Sequence, residues 1–234
     1  MKDLMSSLKI FLIMLALICS STIDASENSL NDVNNPKYKI SIEKYFPLDE
    51  NMVLHYDSNF GPTHYITKKS GGEYIQEYES DEFFSAQNIK LMGNSVFITK
   101  IEQEVDVLLF ISHSISVTYN EPALILPLSL SLTEEWIWQG IEYVGDRIDT
   151  ITITGKLTGY EEINCKAGTF NCLRFDYEIS KASGKLTKFT EWREKDIGIV
   201  KLTADVSQKG FAGMMISLLG YDDIYFELEK IDIL

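Results

Sequence analysis

Hydrophobic and polar residues alternate along much of this chain, which is the pattern of β-strands with one buried and one solvated face. The clearest stretch is ITITGKLTGYEEINCKAGTFNCLRFDYEIS, residues 151–180. Apolar side chains take every second position from Leu173 to Ile179, and the turn between the two runs contains Gly168. Glycine tolerates the positive φ that a tight reversal requires. We therefore predict a β-hairpin over this range.

The same alternation, interrupted by Gly, Pro and Asn, predicts strands along the rest of the chain. Their ranges are 38–42, 52–58, 63–69, 73–79, 95–103, 105–119, 124–127, 135–143, 185–193, 197–206 and 224–233. The β-branched and apolar content of 105–119 predicts a strand that is buried over much of its length. Asn120-Glu121-Pro122 is expected to interrupt the strands. The apolar segment 211–219 (FAGMMISLL) is assigned to a short helix or a loop.

These elements predict an all-β protein with at most one short helix. The expected architecture is a long antiparallel, strongly twisted sheet, arranged as a half-barrel or as two stacked sheets. Residues 45–48 (YFPL) and 126–128 (LPL) enter strands in a similar way. Residues 36–122 and 123–234 are therefore either two similar units or parts of one continuous domain.

The first 25 residues have the form of a signal peptide: two lysines, an apolar run over 10–19, then small residues up to Ala25. This predicts an exported protein that is cleaved near Ala25 and has a flexible mature N-terminus over residues 26–35. The apolar run is short for a bilayer span, and no other segment is long and apolar enough for one. The alternative is lipid attachment at Cys19, although Ile18 stands where bacterial lipoproteins normally have a small residue.

Composition narrows the set of partners. The chain has 21 Lys and Arg against 35 Asp and Glu, a formal net charge of −14. This charge repels phosphate backbones and anionic lipid surfaces, so nucleic acid is not expected as a partner.

One polar group has the residue types of a metal site. If residues 59–62 form a turn, Asp57 lies opposite His64, and His55 lies beside Asp57 on the same face. Two imidazoles and a carboxylate can bind a divalent metal ion. The alternative is that these three side chains form the solvated face of a hairpin, so no cofactor is predicted.

The sequence contains no nucleophile elbow, metalloprotease helix or phosphate-binding loop, so the expected role is not catalytic. Trp136 and Trp138 share one face of a strand, and Met214 and Met215 lie in the ambiguous apolar segment. These four residues are the candidates for contact with an apolar ligand, and burial in the core is the alternative for the tryptophans.

Cys165 and Cys172 flank the hairpin turn, and export would place them where a disulfide can form. A direct bridge would put Ile163 opposite Arg174, unless a bulge near Gly168 restores the apolar pairing. The register therefore predicts Cys165 on the apolar face and Cys172 on the polar face. The sequence does not decide whether Cys165 and Cys172 form a disulfide.

Three short motifs occur in order: PL at 127–128 before Trp136, AGTF at 167–170 before CL at 172–173, and Trp192 before GIVK at 198–201. In these motifs residues 124–202 resemble a group of exported bacterial β-sheet proteins, often lipoproteins, that have no assigned function. Such proteins are similar in plan to LolA-type carriers, whose curved antiparallel sheet covers an apolar cavity. The resemblance implies a binding module for an apolar or amphipathic molecule, such as a lipid, or for an envelope protein. The alternative is a hydrolase or metal-dependent enzyme that uses polar residues at the sheet mouth.

Overall fold

A computed structural model of the protein describes residues 39–81, 83–108, 111–184, 186–205 and 223–234. The strands in these ranges are β1 (Ile40–Ser41), β2 (Met52–Ser58), β3 (Thr63–Ser70), β4 (Glu73–Glu79), β5 (Phe83–Met92), β6 (Ser95–Leu108), β7 (Ile111–Pro127), β8 (Ser129–Leu130), β9 (Glu135–Val144), β10 (Arg147–Cys165), β11 (Gly168–Lys181), β12 (Leu186–Glu194), β13 (Gly198–Asp205) and β14 (Asp223–Ile233). A single 3-10 turn, Glu43–Tyr45, follows β1.

Twelve of these strands form one closed barrel in the order β10-β11-β12-β13-β14-β2-β3-β4-β5-β6-β7-β9, and β9 returns to β10. Every neighbouring pair is antiparallel, and the short β1 pairs with β8 outside the barrel. The predicted all-β antiparallel sheet is confirmed. The sheet closes on itself completely, where the sequence left a half-barrel or two stacked sheets as the options. Strands from residues 36–122 and 123–234 share this one sheet.

The lower end of the barrel, where β2 and β13 begin, is filled by residues 39–49, called here the end segment. Ile42 and Phe46 are buried and pack against side chains of β5, β6, β7, β10 and β11. The Ile42 amide donates to the Leu128 carbonyl at 2.9 Å, and the Asp196 amide donates to the Lys44 carbonyl at 2.7 Å. These bonds fix the end segment against both sides of the opening.

Two strands differ from the predicted boundaries. Strand β5 lies in a range where no strand was predicted, because its inward side chains include Ser85 and a bulge between Asn88 and Ile89 breaks the alternation. The predicted strand 105–119 is instead the end of β6 and the start of β7. These strands pair with each other, and the pair nearest to the reversal is Leu108 with Ile111. No Gly, Pro or Asn marks this reversal in the sequence.

The predicted break at Asn120-Glu121-Pro122 is wrong, since β7 runs through these residues. The pairing with β6 passes from Thr118 directly to Ala123, so the intervening residues bulge out of the ladder. Pro122 has no N–H to donate and is tolerated at such a position. The Asn120 side-chain oxygen instead accepts the backbone N–H of Ile141, at 2.7 Å.

The register of β2 and β3 also differs from the prediction. His64 lies opposite His55, and Asp57 is not its partner. The connection itself spans the predicted residues 59–62, and within it the Gly61 amide donates to the Ser58 carbonyl at 3.0 Å. Phe60 at the tip inserts into the core and stacks on Phe83, with ring centroids 4.9 Å apart. Burial of this ring holds the connection against the core, and the pair nearest to the connection is Tyr56 with Thr63.

The predicted hairpin is present as β10 and β11, which turn at Lys166-Ala167. A bulge lies between Leu157 and Gly159, on the β10 strand and away from Gly168. Beyond it the hairpin tip folds onto β14 and β2: the Ala167 amide donates to the Leu228 carbonyl, and Lys166 forms ion pairs with Glu229 and Asp57.

The seam between β7 and β9 is paired only at Val117–Tyr119. Below it, Trp136 and Trp138 are buried and close the interior, and the Trp136 indole N–H donates to the Ile125 carbonyl at 3.1 Å. The rings fit because Gly140 and Gly155 have no side chain: a Cβ at Gly155 would lie 2.2 Å from Trp136 Cζ2. The prediction that both indoles share one face is confirmed.

Gly155→Ala is expected to lower the free energy of unfolding by about 1–3 kcal/mol, as overpacking in a closed core does. The Trp136 ring cannot move aside freely, since Ile125 holds its N–H and the Tyr177 ring packs edge-on at 5.6 Å. Gly159→Ala in the same strand is the matched control, because a Cβ there meets nothing within 4 Å. Urea unfolding of both variants measures the difference, and equal stabilities would contradict the packing described.

No helix in the described part of the chain is long and apolar enough to cross a membrane. The predicted leader (1–25), the N-terminal stretch (26–35), Cys19, Met214 and Met215 lie outside the described residues.

Candidate functional site

The barrel interior contains a cavity of about 110 Å³. Side chains from β4, β5, β6, β7, β10, β11, β12 and β13 line it, and Phe46 of the end segment closes its lower side. Most of the lining is apolar. Half of it is aliphatic, and the aromatic members are Phe46, Tyr78, Tyr119, Tyr177 and Phe189. The aliphatic members are Ile98, Ile101, Ala123, Ile125, Leu126, Ile153, Ile179, Ile199 and Leu202. The polar members are Gln76, Gln87, Glu191 and Arg193. The site is therefore an apolar chamber with a few polar groups.

Glu191 and Arg193 form an ion pair inside the barrel. Both side chains are at least nine-tenths buried, and Arg193 Nε donates to Glu191 Oε2 at 2.8 Å. They lie two residues apart on β12, so they project from the same face of the strand. Arg193 also packs over the Phe46 ring, 4.7 Å from its centroid, and reaches the Tyr45 carbonyl at 3.4 Å. The guanidinium thus links the cavity wall to the end segment.

Buried phenols surround this ion pair. Burial raises the pKa of Tyr56, Tyr78 and Tyr177 well above the usual value, and the charge of Glu191 adds to the rise in each case. Burial also raises the pKa of Tyr65 to about 12. The Tyr56 hydroxyl donates to the Ile199 carbonyl at 2.7 Å. These groups stay neutral at physiological pH and offer hydroxyls in an otherwise apolar interior.

A second inward ion pair joins Glu142 of β9 to Lys181 of β11, toward the upper end of the barrel. Burial raises the pKa of the nearby Tyr119, and the Glu142 charge contributes to this shift. Tyr119 lines the cavity and packs edge-on against Trp138 with centroids 5.7 Å apart. The apolar chamber therefore lies between two internal ion pairs.

Of the residues predicted to contact an apolar ligand, Trp136 and Trp138 lie beside the chamber and do not line it. Both contact residues that do line it, Tyr177 and Tyr119 respectively. Their direct contribution is to close the β7–β9 seam, so contact with a ligand stays a prediction.

The structure brings together two of the three predicted metal-site residues. His55 and His64 Nδ1 atoms lie 2.9 Å apart on the outer face, and His55 Nε2 lies 2.9 Å from Asp232 Oδ2. Asp57 lies instead near Lys166, at 3.5 Å. Across the described ranges, no group of three His, Cys, Asp or Glu side chains is arranged to hold a metal ion.

Cys165 and Cys172 are free thiols. Cys165 pairs with Gly168 and Cys172 with Glu161, which separates the two along the strands by four residues, about 13 Å. A disulfide requires Cα atoms about 4.4–6.8 Å apart. The expected placement of Cys172 on the polar face is wrong: the folded-over hairpin tip buries it completely beside Ile163 and Trp192.

Burial raises the pKa of the Cys172 thiol to about 12, and the negative charge of Glu194 adds to this effect. At pH 8 we expect a thiol-specific disulfide reagent to modify the half-buried Cys165 in the folded mature protein and to leave Cys172 unmodified. Both should react after unfolding in denaturant. In the Cys165→Ser variant, the Cys172 thiol should not react with the reagent until the protein unfolds. Absence of free thiols in the denatured, unreduced protein, with a bridge mapped by peptide mass, would contradict this assignment.

The outer face carries a larger groove of about 320 Å³ across β9 to β12. Its charged side chains pair with one another: Lys156 with Glu135, and Arg174 with Asp176. The Thr190 hydroxyl also donates to Asp176, at 2.8 Å. The groove is open to solvent, and these charged side chains already have partners within it. The smaller interior chamber is therefore the stronger candidate site.

Sequence reasoning did not identify Glu191 and Arg193. The stretch TEWRE at 190–194 places polar side chains on both faces of β12, so the alternation does not reveal which face is inside. Taken alone, the alternation of Glu191, Trp192 and Arg193 predicts the reverse, with Trp192 inside and the two charged side chains in solvent, so the sequence pattern points away from this pair.

Residues 145–207 match the sequence profile of the DUF3108-like family. The match covers all of β10, β11, β12 and β13, and no curated protein matches the sequence. The structure is similar to that of the hypothetical lipoprotein YmcC from Escherichia coli, with 11% identity and a TM-score of 0.43 over 80% of this chain and 86% of that one.

A candidate lipoprotein from Parabacteroides distasonis has 13% identity and a TM-score of 0.40, over 80% of this chain and 98% of that one. A candidate exported protein with a YmcC-like fold from Bacteroides fragilis has 12% identity and a TM-score of 0.30, with the same coverage. The DUF3108-like match overlaps the motifs at residues 124–202, and the predicted resemblance to a β-sheet family without assigned function is thereby confirmed for this part of the chain.

Proposed function

We propose that this protein is exported and holds the apolar part of a small amphipathic molecule inside its barrel, without catalysing a reaction. The observation that carries the proposal is the interior chamber, whose lining is aliphatic and aromatic apart from a few polar groups. Such a combination is typical of small-molecule binding sites, where apolar contacts supply affinity and polar groups fix orientation. Export is supported by the leader pattern of residues 1–25.

The size of the chamber limits what enters it. At about 110 Å³ it is smaller than the ligand pockets of about 300–1,000 Å³ that enclose drug-sized molecules. An engineered apolar cavity of about 150 Å³ accommodates benzene. The chamber therefore suits a short apolar group, such as the end of a chain or a small ring, and the rest of the molecule lies outside it.

The polar groups favour a ligand without a strong net charge. Glu191 and Arg193 neutralise each other, and Arg193 also donates to Tyr45. An additional buried charge would lack a counter-ion, which is costly in an apolar interior. The amides of Gln76 and Gln87 remain suitable for hydrogen bonds with a neutral polar group at the chamber wall.

Native mass spectrometry of the exported protein, with extraction of bound small molecules, tests this function. We expect an amphipathic molecule to co-purify with the wild type and to be lost in Ala123→Leu, which fills the chamber at a fully buried position. Ala182→Leu in the exposed β11–β12 turn is the matched control and should retain the molecule. A folded wild type that carries none would overturn the proposal and favour contact with an envelope protein.

A further inference from the structure

A pair of histidines faces outward at the centre of the β2–β3 pairing. His55 and His64 are directly opposite one another, and their Nδ1 atoms lie 2.9 Å apart with the ring planes at 88°. Solvent reaches both rings: the His55 side chain is 25% exposed, and His64 is more exposed still. The pair is remote from the interior chamber, because the inward positions of these strands are Leu54, Tyr56 and Tyr65.

The carboxylate of Asp232 sets the tautomer of His55. A carboxylate only accepts hydrogen bonds, so the contact of 2.9 Å between Asp232 Oδ2 and His55 Nε2 places a proton on Nε2. In the neutral ring this leaves the lone pair on Nδ1, the atom that faces His64. Metal-binding histidines in proteins characteristically donate their second N–H to a carboxylate in this way.

We propose that His55 and His64 bind one divalent transition-metal ion, such as Zn²⁺, through their two Nδ1 atoms. The ion replaces the proton that His64 Nδ1 donates to His55 Nδ1. Through exchange with solvent the His64 ring carries its one proton on Nε2 instead, so both rings bind the ion as neutral imidazoles. Imidazole nitrogen is a preferred donor for zinc, copper and nickel. Water completes the coordination, so this is a two-residue chelate on the surface and not a site of three protein ligands.

The observed geometry needs only a small adjustment. With Zn–N distances of about 2.0–2.1 Å and a tetrahedral angle, the two nitrogens would lie about 3.3–3.4 Å apart. The present separation of 2.9 Å must therefore open by less than half an ångström. Side-chain rotation can supply this, since neither ring is locked in the core.

The charges around the pair favour a cation. Glu79 lies opposite His64 on β4, and Asp232 contacts His55 from β14. The positive neighbours are balanced: Lys230, opposite His55, donates to Asp232 at 2.7 Å, and Lys166 pairs with Glu229 and Asp57. The chain as a whole carries −14.

Calorimetric titration of the untagged mature protein with ZnCl₂ tests the site, with the imidazole ¹⁵N resonances followed in parallel. We expect one equivalent to bind and to shift the Nδ1 signals of both histidines. His64→Gln, which keeps a polar side chain in an exposed strand position, should weaken binding at least about tenfold, and Asp232→Asn about 10–100-fold. His113→Ala removes the remaining histidine and is the matched control, with unchanged binding.

No binding heat and no shift of the Nδ1 signals would overturn the proposal and leave the pair as a hydrogen bond between two imidazoles. Binding that persists in His64→Gln, or that disappears in His113→Ala, would also overturn it. Circular dichroism of each variant, compared with the wild type, shows that the fold is retained.

Discussion

Replacing Arg193 by methionine is expected to lower the free energy of unfolding by about 3–5 kcal/mol. Methionine has a similar length but leaves the carboxylate of Glu191 buried and uncompensated, and removing one partner of a buried ion pair has a cost of this size. The variant also loses the contacts with the Phe46 ring and the Tyr45 carbonyl. The end segment should therefore become more accessible to protease.

Two further variants show how much of the destabilisation by Arg193→Met comes from the unpaired charge of Glu191. Arg174→Met removes an arginine that pairs with Asp176 on the partly exposed outer face, and should cost about 1 kcal/mol or less. Adding Glu191→Gln to Arg193→Met removes the uncompensated charge and should restore much of the loss. If Arg193→Met is no more destabilising than Arg174→Met in denaturant unfolding, the buried pair does not exist as described.

Raising the pH above 10 is expected to unfold the protein cooperatively. Burial raises the pKa of six tyrosines: Tyr45, Tyr56, Tyr65, Tyr78, Tyr119 and Tyr177. Above pH 10 the unfolded chain loses these phenolic protons while the folded protein keeps them. The unfolded state then binds fewer protons, so stability falls with pH, by about 1.4 kcal/mol per pH unit for each such group.

The pH range over which stability falls follows from the pKa values of these tyrosines in the unfolded and folded states. The loss begins near the unfolded value of about 10 and continues at least to about 12, the pKa of folded Tyr65. The absorbance of tyrosinate from these buried tyrosines should rise together with the loss of the circular dichroism signal. Tyr78→Phe removes one of the groups and should move the midpoint to higher pH. Titration of all tyrosines near pH 10 with unchanged circular dichroism would contradict the buried arrangement.

The hairpin and most strands were predictable because alternation is a local property of each strand. Closure of the barrel was not, since it depends on the pairing of β14 with β2. The β14–β2 pair joins residues far apart in the sequence, and no local pattern encodes it. Strand β5 was missed because Ser85 faces the interior, where an apolar residue is expected.

The candidate site was less predictable than the fold. Histidines and tryptophans are candidates by residue type, but the chamber is lined mainly by aliphatic residues, Phe and Tyr, which any core would contain. The buried charges of β12 differ from surface charges only in the side of the sheet on which they lie, and residue type does not reveal that side. A shift of one residue would expose them to solvent.

The most direct test of the central claim, an apolar chamber inside the closed barrel, is a crystal structure of the protein under xenon pressure. Xenon occupies dry apolar cavities of this kind. The described structure predicts xenon density within the barrel, among Ala123, Ile153 and Ile179, and loss of that density in Ala123→Leu. An empty interior in the wild type, or xenon bound only in the outer groove, would contradict it.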